Sequence, residues 1–312
     1  MANYNLAPAL AAYVKESASF ASKSDAVADR REAFAEACRY FTPSRPSGIK
    51  VEDDEIKGLA IRIYLPEAPA PSTGWPTLLY FHGGGWSMGS HATHDWFAYA
   101  VLRRIPIAIV AVNYRLAPEH PFPAPLEDGL EVWHALSRGD FPQLDQDSLA
   151  IAGDSAGGSL AAGLCVALRE MNLPQPKLQA LVYPVLTASV ELRSMQAHAE
   201  APMLTTAGLL ASLESYVPGQ GRKADPRAFA LEIDNATGLA PAFIGVAEYD
   251  PLFDHGIAYA KVLRKAGVPV HLHIGRGLVH ASLRASGVAE VEEFYDVLVE
   301  WMRNSMACYH RS

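Results

Sequence analysis

Gly153-Asp154-Ser155-Ala156-Gly157-Gly158 sets one serine hydroxyl among residues with little side chain. The apolar run Leu149-Ala150-Ile151-Ala152 precedes it, and a helical pattern, Ser159–Met171, follows. A G-x-S-x-G pentapeptide between a strand and a helix is the setting of a nucleophile elbow. Small neighbours let strand and helix close on each other, so the serine Oγ projects at a helix N-terminus. The partial positive charge there favours a developing anion. The bland reading is a glycine-rich turn with an N-capping serine, and the pentapeptide alone leaves both open. A phosphate loop fits less well, because no Gly-Lys-Ser/Thr ends the stretch.

His82-Gly83-Gly84-Gly85-Trp86 is the second signal, directly after the apolar run Leu78-Leu79-Tyr80-Phe81. Consecutive glycines let the backbone take positive φ and turn its N–H groups toward a ligand. In this position the loop matches an H-G-G-G oxyanion loop. Gly83 and Gly84 are expected to offer two donors and Ala156 a third. Loss of one such donor typically costs about 100- to 1,000-fold in turnover. A dinucleotide loop fails, since Gly83–Gly89 holds no G-x-G-x-x-G register.

A serine nucleophile needs a base and a group to orient it, in the chain order nucleophile, acid, histidine. Among the histidines after Ser155, His280 follows the last expected strand and its loop, Gly275-Arg276-Gly277-Leu278-Val279. His271 and His273 share one face inside that strand and read as packing or edge residues. His198 lies in an unusually long connection and His310 near a terminus that frays readily. For the acid, Asp250 ends the strand Ala242–Val246 and its extension Ala247-Glu248-Tyr249. Asp254 is a close rival that looks like an N-cap of the next helix, and Glu248 a weaker one. The expected relay runs from Ser155 through His280 to Asp250. It ends in a serine-bound acyl group that water releases.

His91 and His94, three apart, could pair on a metal, but no H-E-x-x-H and no third ligand stand near, so no metal is expected. Cys165 sits in the helical run after Ser155 and reads as a buried thiol.

Composition narrows the class. The chain has 312 residues, 50% hydrophobic and 19% charged, with a formal charge of −8. An acidic chain whose longest basic runs are the pairs Arg30-Arg31 and Arg103-Arg104 suits neither nucleic acid nor an anionic membrane. Cys38, Cys165 and Cys308 stand singly, which excludes a disulfide framework and a zinc ribbon and fits a reducing compartment. No basic n-region precedes Lys15 and Glu16, so no signal peptide is read and the expected location is the cytoplasm. No 18-residue stretch escapes charges or Pro/Gly breaks, so no membrane span is expected.

The elements that must position these residues are an alternation of strands and helices. Strands are expected at Ile49–Ile56, Leu59–Leu65, Thr77–Phe81, Ile107–Asn113, Leu149–Gly153, Ala180–Val185, Ala242–Val246 and Val270–Ile274. The later ones are almost wholly apolar, as in a parallel sheet covered on both faces. Helical patterns lie near 94–104, 124–137, 156–171, 254–266 and 288–304, which argues for an α/β sheet with right-handed crossovers. Residues 187–240 are too long for a plain crossover and hold a further helical pattern, Thr206–Tyr216, with turn-rich flanks such as Pro218-Gly219-Gln220-Gly221. With residues 1–45, where Leu6, Leu10, Tyr13 and Val14 form one stripe, they are expected to cap a core of 46–186 and 241–312.

These motifs together resemble the hormone-sensitive-lipase family of α/β-hydrolases, in its bacterial esterase branch with a G-D-S-A-G-G elbow. The loop His82–Trp86, the stretch Tyr114-Arg115-Leu116-Ala117-Pro118-Glu119-His120-Pro121-Phe122-Pro123-Ala124, the elbow and Asp250-Pro251-Leu252 carry the likeness, over roughly 60–300. The resemblance implies the α/β-hydrolase fold, with a mostly parallel eight-stranded sheet, flanking helices and a helical cap. It implies a carboxylesterase acting on short- to medium-chain acyl esters, with no cofactor. Members often form homodimers through the sheet edge near the last strand. Arg115–Glu119 serves in the family as a structural brace. One departure is Ala281-Ser282, where the family often has glycine and an aromatic residue; it bears on the pocket. An amidase or arylformamidase with the same relay, an acyltransferase and a non-catalytic binding protein on this fold remain alternatives.

Overall fold

The computed structural model describes residues 4–219 and 225–307. Cys308, His310, Gln220-Gly221 and the first three residues lie outside them. No helix among the described residues is long and apolar enough to cross a membrane.

A hairpin, β1 (Ile49–Ile56) and β2 (Leu59–Pro66), starts the sheet. Then come β3 (Trp75–Phe81), β4 (Ala108–Val112), β5 (Leu144–Asp154), β6 (Gln179–Val182), β7 (Ala242–Tyr249) and β8 (Val270–Val279). All form one sheet in the order β1-β2-β4-β3-β5-β6-β7-β8. β1 pairs antiparallel with β2, as β2 does with β4, and every other pairing is parallel.

Both faces of the sheet are covered, which explains the continuous apolar runs. Leu79, Phe81, Val110 and Ile151 point toward α4 (Ala124–Ser137), α5 (Ala156–Glu170) and α8 (Phe253–Lys265). Their neighbours Leu78, Tyr80, Ile109 and Ala150 join the opposite layer, with α1 (Pro8–Ser17), α3 (Asp95–Leu102) and α9 (Ala289–Ala307). α2 (Val27–Phe41), the short α6 (Arg193–Ala197) and α7 (Thr206–Tyr216) complete the helices.

Several strand bounds shift by one to three residues, β6 for instance ending at Val182 rather than Val185, and two strand ends differ by more. β5 begins at Leu144 rather than Leu149, because Leu144 and Asp145 pair with Trp75 and Pro76 before a register shift. The sequence there, Asp145-Gln146-Asp147-Ser148, is too polar to announce a strand. β8 continues through Gly275–Val279, the stretch expected as a loop. Its pairing with β7 shifts between Ala247 and Tyr249, and Gly277 takes φ +69°. Glycine inside a strand marks such an irregularity. The long connection also divides. Its return, residues 225–240, packs along α5: Ser159 Oγ donates to the Ala228 carbonyl at 2.9 Å.

Candidate active site

The C-terminal ends of β3, β5, β7 and β8 carry, in turn, His82, Ser155, Asp250 and His280. Ser155 sits between β5 and α5 with φ +55° and ψ −118°. A non-glycine backbone held there stores about 1–3 kcal/mol of strain. Backbone bonds hold it: Ser155 N–H donates to the Val182 carbonyl at 2.9 Å, and the Ser155 carbonyl accepts from Ser159 at 3.2 Å. The turn also demands contact that only glycine permits. A Cβ on Gly153 would strike the Gly157 carbonyl, and one on Gly157 the Phe81 carbonyl.

The structure brings Ser155, His280 and Asp250 together. His280 Nε2 lies 2.9 Å from Ser155 Oγ, and its Nδ1 lies 2.8 Å from Asp250 Oδ2. Asp250 is wholly buried, and its other oxygen accepts from Leu252 N–H at 2.8 Å. His280 is nearly buried and its ring packs against Tyr183, 4.7 Å between centroids.

The turn that carries His280 is held differently. Ala281 takes the left-handed conformation, φ 57° and ψ 16°. Its carbonyl accepts from Tyr13 Oη of α1 at 2.9 Å. Ser282 Oγ accepts from Val279 N–H at 2.9 Å. Tyr295 Oη of α9 donates to the Leu283 carbonyl at 3.1 Å.

The rival carboxylates have other partners. Asp254 Oδ2 accepts from Ser194 N–H at 2.9 Å and ties α6 to α8, whose N-cap is Leu252 rather than Asp254. Glu248 accepts from Gly277 N–H at 2.7 Å and pins the irregular end of β8. His271 and His273 stack on Phe243, with centroids 5.7 and 6.4 Å away. His198 packs 5.9 Å from Tyr4. His255 Nδ1 accepts from Leu186 N–H at 3.1 Å, and burial drives its pKa down to about 4.

One expected donor is corrected. Gly83 N–H donates to Asp154 Oδ1 at 2.8 Å, so it is not open to a substrate oxygen. Among the described residues, the N–H groups of Gly84, Gly85 and Ala156 have no protein acceptor. The loop N–H groups left open are therefore those of Gly84 (φ +128°) and Gly85 (φ +59°), one residue on from the expected pair.

Asp154 is the residue that sequence reasoning missed. It is buried and also accepts from Tyr80 Oη at 2.6 Å, while His94 Nε2 faces its Oδ2 at 3.6 Å. Burial pushes this carboxyl up; His94 and the donors from Tyr80 and Gly83 together outweigh it, so its pKa falls below the usual range. The signal was present in the elbow itself, as an acid between Gly153 and Ser155. His94 is thus a buried partner of Asp154, and no group of three metal-ligating side chains occurs among the described residues. His82 stacks on Tyr114 at 4.2 Å, and burial lowers its pKa to about 3.

A cavity of about 200 Å³ opens above Ser155 and His280. Phe34 of α2 walls one side and Met203, Leu209 and Ser212 the other, so both expected cap segments contribute. Arg31 fastens α2 to the loop below, donating to the Ser87 carbonyl at 2.8 Å and pairing with Glu119 at 2.6 Å. Arg115 instead holds Asp128, at 2.9 Å. Trp86 stacks on Tyr216 of α7 with 4.2 Å between centroids.

Comparison with known proteins agrees with this architecture. A family model described as alpha/beta hydrolase fold matches residues 78–284. The chain is 35% identical over 251 residues to an ethyl acetate hydrolase of Pseudomonas putida, covering 80% of this chain and 79% of that protein. It is 39% identical over 234 residues to carboxylesterase NlhH of Mycobacterium tuberculosis, covering 73% and 72%. Among solved structures, an ester hydrolase from the metagenome of Lake Arreo, complexed with a bipyridine phosphonate derivative, superposes with a TM-score of 0.87. The two share 30% identity over 97% of this chain and 99% of that one. A thermostable esterase from Pseudomonas putida gives a TM-score of 0.89 at 25% identity, covering 98% and 99%. The chain belongs to the α/β-hydrolase fold family, in the hormone-sensitive-lipase-like branch of bacterial esterases, and is a carboxylic ester hydrolase.

Proposed function

We propose a serine carboxylesterase whose relay is Ser155, His280 and Asp250. The unbroken line of hydrogen bonds from Ser155 Oγ through both ring nitrogens to Asp250 carries this reading. His280 Nε2 takes the Ser155 proton as Oγ bonds to the acyl carbon. The carbonyl oxygen becomes an oxyanion, met by Gly84, Gly85 and Ala156 N–H. Asp250 fixes the imidazole tautomer and stabilises the imidazolium. As the tetrahedral centre collapses, the ester C–O bond breaks and Nε2 returns the proton to the departing alcohol. Water repeats the sequence on the acyl-serine and releases the acid.

Short- to medium-chain esters fit this site. The cavity of about 200 Å³ lies below the roughly 300–1,000 Å³ of pockets that take drug-sized ligands. The name of the ethyl acetate hydrolase relative points to small esters as well. Residues 1–45 and the first part of 187–240 act as the cap, with Phe34, Met203 and Leu209 limiting chain length.

The test pairs Ser155→Ala with an acyl series of p-nitrophenyl esters. The variant should keep its circular dichroism spectrum and lose hydrolysis to background. In the wild type, kcat/KM should peak at short or medium chains and drop for long ones. Full activity in Ser155→Ala overturns the nucleophile, and a long-chain optimum overturns the substrate class.

A further inference from the structure

One charge in the cavity has no counterpart. Arg284 closes the short 3-10 turn Ser282–Arg284, is 8% exposed, and lines the cavity above Ser155 and His280. Its Nη1 donates to Cys38 Sγ at 3.4 Å, and its guanidinium lies 5.5 Å from the Phe34 ring centroid. A thiol is a weak acceptor. Burial holds this one above its usual pKa, so it stays protonated and supplies no negative charge. No carboxylate among the described residues pairs with Arg284, and Nε and Nη2 have no acceptor.

The acid that lines the same cavity is Asp154. Its oxygens are already engaged by Tyr80, Gly83 and His94. A buried guanidinium cannot shed its proton, and a buried charge without a partner is costly to the fold. A second cavity, of about 230 Å³, shares Phe34, Met88, Met203 and Arg284 with the first and extends past Arg30. Among the described residues no carboxylate lines it, and Arg30 makes no ion pair there. The second cavity therefore offers a route of positive charge as far as Arg284, and the one carboxylate beyond it, Asp154, has its oxygens engaged by Tyr80, Gly83 and His94.

We propose that Arg284 is an anion subsite, and that the enzyme takes esters bearing a carboxylate a few bonds from the scissile carbonyl. The inference rests on the Ser155 reading. Nε and Nη2 are adjacent donors on one edge of a planar guanidinium, the arrangement that receives a carboxylate on both oxygens. Phe34, Met88 and Met203 give apolar walls to the intervening carbons. Monoesters of short dicarboxylic acids place the carboxylate on the acyl side, and O-acyl hydroxy acids place it on the alcohol side.

Two matched pairs separate those sources: monomethyl succinate against methyl 4-methylpentanoate, and O-acetyl glycolate against isobutyl acetate. Wild-type kcat/KM should favour the carboxylate in at least one pair. Arg284→Met should lower that preference on the order of 100-fold, the size expected for charged hydrogen bonds, with Arg284→Lys between. Absence of any preference in the wild type, or an equal fall of both members in Arg284→Met, overturns the subsite. Should the variants not fold, the wild type still decides. Butyrate should inhibit p-nitrophenyl acetate hydrolysis competitively and butyramide should not; equal inhibition overturns the proposal. Turnover of p-nitrophenyl acetate, and its loss in Ser155→Ala, reports the nucleophile separately.

Discussion

Ser155 and His280 meet at 2.9 Å, yet their turns are built on different principles. The Ser155 turn is fixed by close backbone contact: Gly153 and Gly157 let β5, α5 and the end of β3 touch, and the Ser155 N–H reaches the Val182 carbonyl. The His280 turn is fixed by side-chain hydrogen bonds, one of them local, from Val279 N–H to Ser282 Oγ, and two from elsewhere in the chain. Tyr13 arrives from α1, 268 residues away in sequence, and Tyr295 from α9. A turn built on backbone contact tolerates almost no change, whereas one held by side-chain hydrogen bonds loses its grip in steps.

The largest contrast is in stability. Gly157→Ala pushes a Cβ into the Phe81 carbonyl and should cost about 3 kcal/mol or more, as overpacking against backbone does. Urea unfolding measures it, and a loss under about 1 kcal/mol would mean that the elbow yields more than this contact allows. Next comes the orienting acid. Asp250→Asn should lower kcat by on the order of 10⁴-fold, while Asp254→Asn, which loosens only α6, should leave most of it. The reverse result would exchange the two roles. Tyr13→Phe removes one hydrogen bond from the His280 turn and should cost about 1 kcal/mol of stability. Its kcat should fall less than about 10-fold, equivalent to about 1.4 kcal/mol of barrier. An unchanged unfolding midpoint would detach α1 from the site.

Acid should lower the stability of the fold through two histidines kept neutral by burial. His82, beneath the glycine loop, has its pKa lowered to about 3, and His255, behind Asp250, to about 4. Both ordinary values are 6.5, so below that pH the unfolded chain takes protons that the folded one refuses. Stability is full above pH 6.5 and falls by about 1.4 kcal/mol per pH unit per histidine. The His255 share is exhausted near pH 4 and the His82 share near pH 3. A flat unfolding midpoint from pH 6.5 to 4 would show that neither histidine is held neutral.

This difference also sets what could be read in the sequence. The elbow and the glycine loop were legible because their geometry is written in glycines between a strand and a helix. Chain order then picked out Asp250 and His280, which the fold does bring to Ser155. Gly83 went astray for a reason no spacing rule contains: Asp154 captures its N–H and shifts the open donors to Gly84 and Gly85. Asp145-Gln146-Asp147-Ser148 hid the first half of β5, since polar residues reach strand pairing there through Trp75 and Pro76. Ala281 and Ser282 read as a departure from the family. Their fit becomes plain only with Tyr13 and the Val279 backbone beside them. Arg284 was invisible as well, because nothing local tells a buried guanidinium from a surface one.

The most direct test of the relay is labelling by a fluorophosphonate, followed by peptide mass spectrometry. The account predicts a single adduct on Ser155 in the wild type, forming at least about 100-fold more slowly in His280→Ala, the scale of a lost general base. An adduct on another residue, or equal labelling rates in the two proteins, would contradict it.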